Sequence, residues 1–392
     1  MVESLIVNTV LFLLLFFLAA KASSRKKISN KIGKKAGFPS EMFALFLIFA
    51  IVNGARYDVG VDYLNYLEIY TSGKILYAKK YELLFKGLTW IWTELHAHAF
   101  FFFFSIAFIQ IVCFFLAFKD ERFLYPLLVF FLQMNGEFFV WMNISRCAIA
   151  MCIWLASLKF LIEKKPLLYY LGCLIAFGFH RSAIILIVFY PFLRSGKDFF
   201  PRRSVQFMLI IGALLISVFF NSVFMRMEGL VTLYQNALGG EKDIYSNYDF
   251  QVMLDSIPNE QKGTGLAAIF NLAVAFIIIL FSNKLKAFYP SKKFTIIYFF
   301  FILGLFFKYV FPPNTISLSR PFRYFNVFQS IVLAYFSYYL YKKRHNGYNK
   351  IILTGLIIAF LGIYYLSQVT ASPNSHIWFQ FFFQSKDLFY PS

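Results

Sequence analysis

No Asp-x-Asp pair occurs anywhere in the 392 residues. That argues against a mechanism in which carboxylates hold a divalent ion on a pyrophosphate. A Walker loop, a Gly-x-Gly-x-x-Gly turn and a His-Glu-x-x-His helix are also missing, so an ATP-driven pump is not expected. Cysteine is scarce. Cys113, Cys147, Cys152 and Cys173 lie in or beside apolar runs and lack metal-ligand spacing, which leaves no basis for a disulfide framework or a metal site. Carboxylates are half as numerous as cations, 19 against 38, for a net charge of +19.

Apolar residues fill the gap. They make up 60% of the chain, with 55 phenylalanines, where a soluble domain is about half apolar. Leu5–Ala20, Leu266–Phe281, Phe294–Leu305 and Ile351–Leu366 hold no charge at all. Such runs recur to the C-terminus, so one cleaved leader would not account for them. The expected fold is all-α and polytopic, one transmembrane domain over 1–392. Crossings are expected near 4–20, 40–54, 99–118, 123–136, 139–162, 166–179, 182–193, 205–224, 265–282, 294–311, 321–340 and 351–370. That is about 12 crossings, or 10 if 166–193 is re-entrant.

The basic residues sit in short loops between these runs, which points to a membrane protein and away from nucleic acid. Lys21–Lys35 is the densest and is placed in the cytoplasm; alternation then puts other basic turns, such as Lys164/Lys165 and Lys342/Lys343/Arg344, on the same side. Two long loops fall outside: 55–98, ending in an amphipathic helix (Tyr81, Leu84, Phe85, Leu88, Trp92, Leu95), and 225–264.

Against that pattern, Arg56, Arg146, Arg181, Arg320 and Arg323 fall at the outer ends of crossings. Charge near a bilayer is costly and usually has a reason. Arg56 precedes Asp58, Asp62, Tyr63 and Tyr66; Arg146 follows Glu137; His180 adjoins Arg181; Arg320 and Arg323 precede Tyr324. Each group has a bland alternative: a solvated loop start, a snorkelling arginine or an Arg146–Glu137 pair, a packed histidine, an interface anchor. The functional alternative is a shared site for a phosphorylated ligand, since guanidinium groups bind phosphate bidentately.

The ordered set resembles the EpsG-like branch of the Wzy-type polysaccharide polymerases. The matching elements are Arg56 with Gly60, Asp62 and Tyr66; Arg146 with Ala150, where Cys147 replaces the family's Gln; Phe179, His180, Ser182 and Ala183; and, loosely, Arg320 or Arg323 with Tyr324 and Phe325. The resemblance implies a GT-C-like glycosyltransferase on the outer face of the bacterial inner membrane. Its substrate would be an undecaprenyl-pyrophosphate-linked oligosaccharide, joined into an O-antigen or similar polymer with inversion and without metal or nucleotide sugar. A chain-length regulator is an implied partner, beside membrane lipid. In that mechanism Arg146, Arg320 and Arg323, with Arg181 as a further candidate, would neutralise the leaving group. Either His180 or Asp62 would be the base, and Arg56, Asp58, Tyr63, Tyr66, Glu137 and Tyr324 would contact substrate. A lipid-oligosaccharide flippase, an O-antigen ligase and a glycan acyltransferase are the competing readings.

Overall fold

A computed structural model describes residues 2–25, 37–73, 81–219, 266–311, 319–370 and 378–384. The 225–264 loop lies outside the described residues. Sixteen α-helices are labelled here in chain order. The first nine are α1 Val2–Ser24, α2 Ser40–Gly54, α3 Tyr63–Thr71, α4 Leu83–Glu94, α5 Ala99–Leu116, α6 Tyr125–Met134, α7 Glu137–Asn143, α8 Ser145–Ile162 and α9 Pro166–Phe179. They are followed by α10 Phe189–Leu193, α11 Arg203–Val218, α12 Leu266–Leu280, α13 Ser282–Phe288, α14 Lys292–Val310, α15 Val327–Lys342 and α16 Gly347–Thr370. Among the described residues there is no strand, only an isolated bridge between Arg56 and Phe381.

This is an all-α polytopic membrane protein. Inside hydrocarbon every backbone amide needs an internal partner, and a helix supplies it within one segment. All twelve apolar stretches expected to cross contain helix. By length and composition, five helices of the described residues can cross a membrane, or seven when each of two bent pairs forms one span. The remainder of the apolar helices are shorter, among them α2, α9 and α11.

One break differs from expectation. The run 139–162 is not one helix: α7 ends at Asn143, and the segment 122–134 turns by 63° into α7. Gly136 makes that turn with φ +75°, a left-handed conformation glycine adopts without strain. Ile144, at φ −91° and ψ 48°, separates α7 from α8. Carbonyls freed at the second break find side-chain donors. Gln110 Nε2 donates to Trp141 O (3.3 Å) and Ser145 Oγ to Met142 O (2.9 Å), while Gln110 Nε2 also reaches Ser145 O, the first carbonyl of α8, at 3.2 Å.

The described chain divides into two compact units, 1–180 with 340–392, and 181–339. In the first, α1 packs on α2 and α6, α2 on α5, α5 on α8, and α8 on α9. Small residues set the spacing, as in membrane bundles generally. A Cβ on Gly54 would lie 3.0 Å from Phe100 O, and one on Gly172 would strike Ser157. One end of this unit is basic: Arg122 Nη2 donates to Gly37 O at 2.7 Å, Lys119 lies over the Phe38 ring, and Arg25 pairs with Glu41 at 2.7 Å. At the opposite end, residues 378–384 form a strap. Tyr57 N–H donates to Gln380 O and Phe382 N–H to Ala55 O, both at 2.9 Å, while Phe379 is buried with Val59 and Met142. Ser4 Oγ accepts from the buried Phe379 N–H at 2.7 Å. Ser4→Ala leaves that donor without its acceptor, and the expected cost is about 1 kcal/mol, read as a lower midpoint of thermal unfolding in detergent.

In the second unit, α11 packs on α12 and α14, and α14 packs on a 3-10 helix, Arg320–Phe325. Lys286 of α13 is held by Asp198 at 2.7 Å.

Candidate functional site

At the strap end of the first unit, three helix termini and a short helix bring polar groups together. α3 runs along this end with Tyr63, Tyr66 and Tyr70 buried on one face, as i, i+3, i+7 spacing allows. Its neighbour α4 starts after Glu82, which occupies the N-cap position yet caps nothing with its side chain. The carboxylate turns the other way. Glu82 Oε2 lies 2.6 Å from Arg146 Nη1, and Oε1 lies 3.4 Å from His180 Nδ1.

Arg146 is in the first turn of α8. A cation there faces the positive end of the helix dipole and needs an anion to offset it. Glu82 is that anion, and its side chain is only 6% exposed against 17% for Arg146. Removing either partner therefore strands a charge. The guanidinium also lies over the Tyr81 and Phe85 rings, at 4.8 and 5.7 Å, with Nε 3.5 Å from the Tyr66 hydroxyl. Burial pushes the Tyr66 phenol upward, with Arg146 pulling the other way.

His180 ends α9 in extended conformation, its N–H donating to Ala176 O at 3.0 Å. Two residues earlier, Gly178 makes room for Leu84 of α4; a Cβ there would sit 2.6 Å from the Leu84 side chain. This close approach brings α4's N-terminus, and hence Glu82, beside the end of α9.

The remaining candidates fall as follows. Arg56 and Tyr63, expected as sugar contacts, are engaged within the protein. Arg56 is 2% exposed. Nη2 donates to Met142 O at 3.1 Å, Nη1 to Asn53 Oδ1 at 3.4 Å, and the guanidinium lies over the Tyr63 and Phe103 rings. A cation at the C-terminal carbonyls of α7 is favourably placed against the helix dipole. Burial lowers Arg56 to about 10, so it remains charged at neutral pH. The Tyr63 face is covered by Phe103, stacked at 4.5 Å. Asp58 takes φ +50° and Gly60 φ +96°, which folds the loop back; Asp62 then leads α3, its N–H donating to Asn143 Oδ1 at 3.0 Å. Glu137 is buried at the start of α7 and is not the carboxylate on Arg146.

The second unit holds the other motif residues. Ser182 and Tyr324 share a hydrogen bond of 3.0 Å between their hydroxyls, with Tyr324 fully buried. Arg181 and Arg323 are half-buried beside them in sequence; the Arg320 side chain lies outside the described residues.

The model of the EpsG family matches residues 42–383. The chain belongs to the EpsG family. The match takes in both units and every candidate residue named above. No curated protein and no solved structure matches the chain. EpsG membership supports a role of the polysaccharide-polymerase type, and EpsG proteins are in general glycosyltransferase-like. Glu82 is the site residue that sequence reasoning missed. The signal available was a carboxylate at the head of an otherwise apolar amphipathic segment, where burial would demand a cationic partner.

Proposed function

We propose that this EpsG protein joins oligosaccharide repeat units carried on a lipid pyrophosphate, undecaprenyl in a bacterial inner membrane, into a surface polysaccharide. The observation that carries the reading is the meeting of Arg146 and His180, from two separate motifs, over one buried carboxylate at the end of the unit away from its basic turns. A proton acceptor and a cation held together suit group transfer with an anionic leaving group.

In this reading the site faces outward. The acceptor sugar hydroxyl gives its proton to His180 as its oxygen attacks the anomeric carbon of the growing chain. The bond from that carbon to the pyrophosphate oxygen breaks, and the electron pair leaves with the lipid pyrophosphate. Arg146 neutralises part of that charge; Arg323, Arg320 and Arg181 belong to the second unit and are candidate anion-binding residues there. A single displacement inverts the anomeric configuration. His180 is favoured over Asp62 as base because its ring already has a carboxylate partner, whereas Asp62 is placed by a backbone hydrogen bond at the head of α3.

The test is a purified-protein assay with a lipid-linked repeat unit. Wild type is expected to give a ladder of lengthening chains, His180→Ala to lose it by about 10²-fold or more, and Asp62→Asn to retain most of it. No ladder from wild type, with transport of the lipid instead, would make the protein a flippase. Full activity in His180→Ala would remove the histidine from the reaction.

A further inference from the structure

We propose that Glu82 is a positioning residue that locks the tautomer of His180 and clamps Arg146 beside it. The inference rests on the polymerase reading for its kinetic consequence, though its geometric core stands without it.

One carboxylate serves two groups through different oxygens, Oε2 toward Arg146 at 2.6 Å and Oε1 toward His180 Nδ1 at 3.4 Å. In the neutral imidazole only one nitrogen carries a proton, and the partner of the other decides which. An anionic oxygen 3.4 Å from Nδ1 favours the proton there by electrostatics, at a separation longer than a formed hydrogen bond. Nε2 is then left with its lone pair, the form that can take a proton from a hydroxyl. When Nε2 accepts that proton, the same carboxylate stabilises the imidazolium. Arg146, 2.6 Å away, offsets the Glu82 charge and fixes its side chain away from the α4 amides that an N-cap residue ordinarily serves. The framework around the clamp is tight. Leu84 is seated against Gly178, two residues from His180, and Phe85 is fully buried against Tyr66 and Phe102. Glu82 thus has little freedom to leave His180. Proton acceptor and cation are registered to each other by the one side chain between them.

The test pairs spectroscopy with kinetics on the full chain in detergent or nanodiscs. With ¹⁵N-labelled histidine, the His180 signal is identified by its loss in His180→Asn. Wild type is expected to show a protonated Nδ1, and Glu82→Gln to shift the population toward a protonated Nε2, because an amide can donate to Nδ1. In the assay with the lipid-linked repeat unit, Glu82→Gln is expected to lower kcat by about 10²-fold or more with KM changed less than about threefold. Glu82→Asp should recover part of kcat and the wild-type tautomer. If Glu82→Gln does not fold, the Asp variant and the wild-type spectrum still decide the matter. A wild-type His180 protonated on Nε2, or an unchanged tautomer in a folded Glu82→Gln, would overturn the proposal. A loss confined to KM would overturn it too. A wild type that shows the Nδ1 tautomer but builds no chains would leave the clamp standing and sink the polymerase reading.

Discussion

Arg146→Gln is expected to abolish chain extension and to weaken the fold together, and the two effects can be separated. The variant leaves Glu82, 8% exposed, without the guanidinium 2.6 Å away. Stranding one member of a buried pair costs about 3–5 kcal/mol. The penalty belongs to Glu82, so Arg146→Gln combined with Glu82→Gln should recover most of the stability and none of the activity. Arg146→Lys gives the complementary result. A lysine restores the charge near Glu82 but lacks the planar fork that reaches Glu82 through Nη1 and the Tyr66 hydroxyl through Nε. Its unfolding midpoint should approach wild type while product length stays short. The measurements are thermal unfolding of purified protein and the length distribution of product on gels. Arg146→Gln with full stability would show that Glu82 finds another cation. Long chains from it would show that Arg146 has no part in transfer.

The membrane architecture was readable from the sequence because its cause is local. A charge-free run such as 294–305 has no option in hydrocarbon other than helix, and α14 covers it. Breaks were less legible, since a break depends on what rescues the freed carbonyls. Those at the α7–α8 junction are met by Gln110 of α5, by Ser145 and by Arg56, two of them remote in sequence. The same cause accounts for where Arg56 sits. An arginine after a crossing looks like a ligand-binding group, yet its guanidinium closes the end of a neighbouring helix. Tyr63 and Tyr66 carried a similar ambiguity. Their helical spacing was visible in the sequence, but which molecule would cover their faces was not, and both are buried inside the protein. Arg146 and His180 were legible as unusual residues. That they share a carboxylate was not, because Glu82 belongs to a segment read only for its apolar face.

Gly304→Ala is expected to be as damaging as a direct hit on the motif residues, although glycine carries no chemistry. Gly304 lies on α14 where the Arg320–Phe325 helix ends against it. A Cβ there would sit 2.5 Å from Phe325 O and 3.0 Å from its carbonyl carbon. The obstacle is backbone, which has no rotamer to give, so one helix must move. Phe325 is stacked on Phe300 at 5.6 Å, and Tyr324 is tied to the Ser182 hydroxyl at 3.0 Å. Moving this segment disturbs both contacts together, and Arg323 with them. Overpacking typically costs about 1–3 kcal/mol, and a clash with main chain belongs at the upper end because no rotamer relieves it. Gly355→Ala is the control: nothing lies within 4 Å of a Cβ on that α16 glycine, so alanine should stabilise the helix by up to about 1 kcal/mol. Thermal midpoints of the two variants should therefore move in opposite directions from wild type. Chain extension should fall in Gly304→Ala and hold in Gly355→Ala. Were Gly304→Ala to unfold at the wild-type midpoint, α14 would not be the surface that positions the arginine–tyrosine segment.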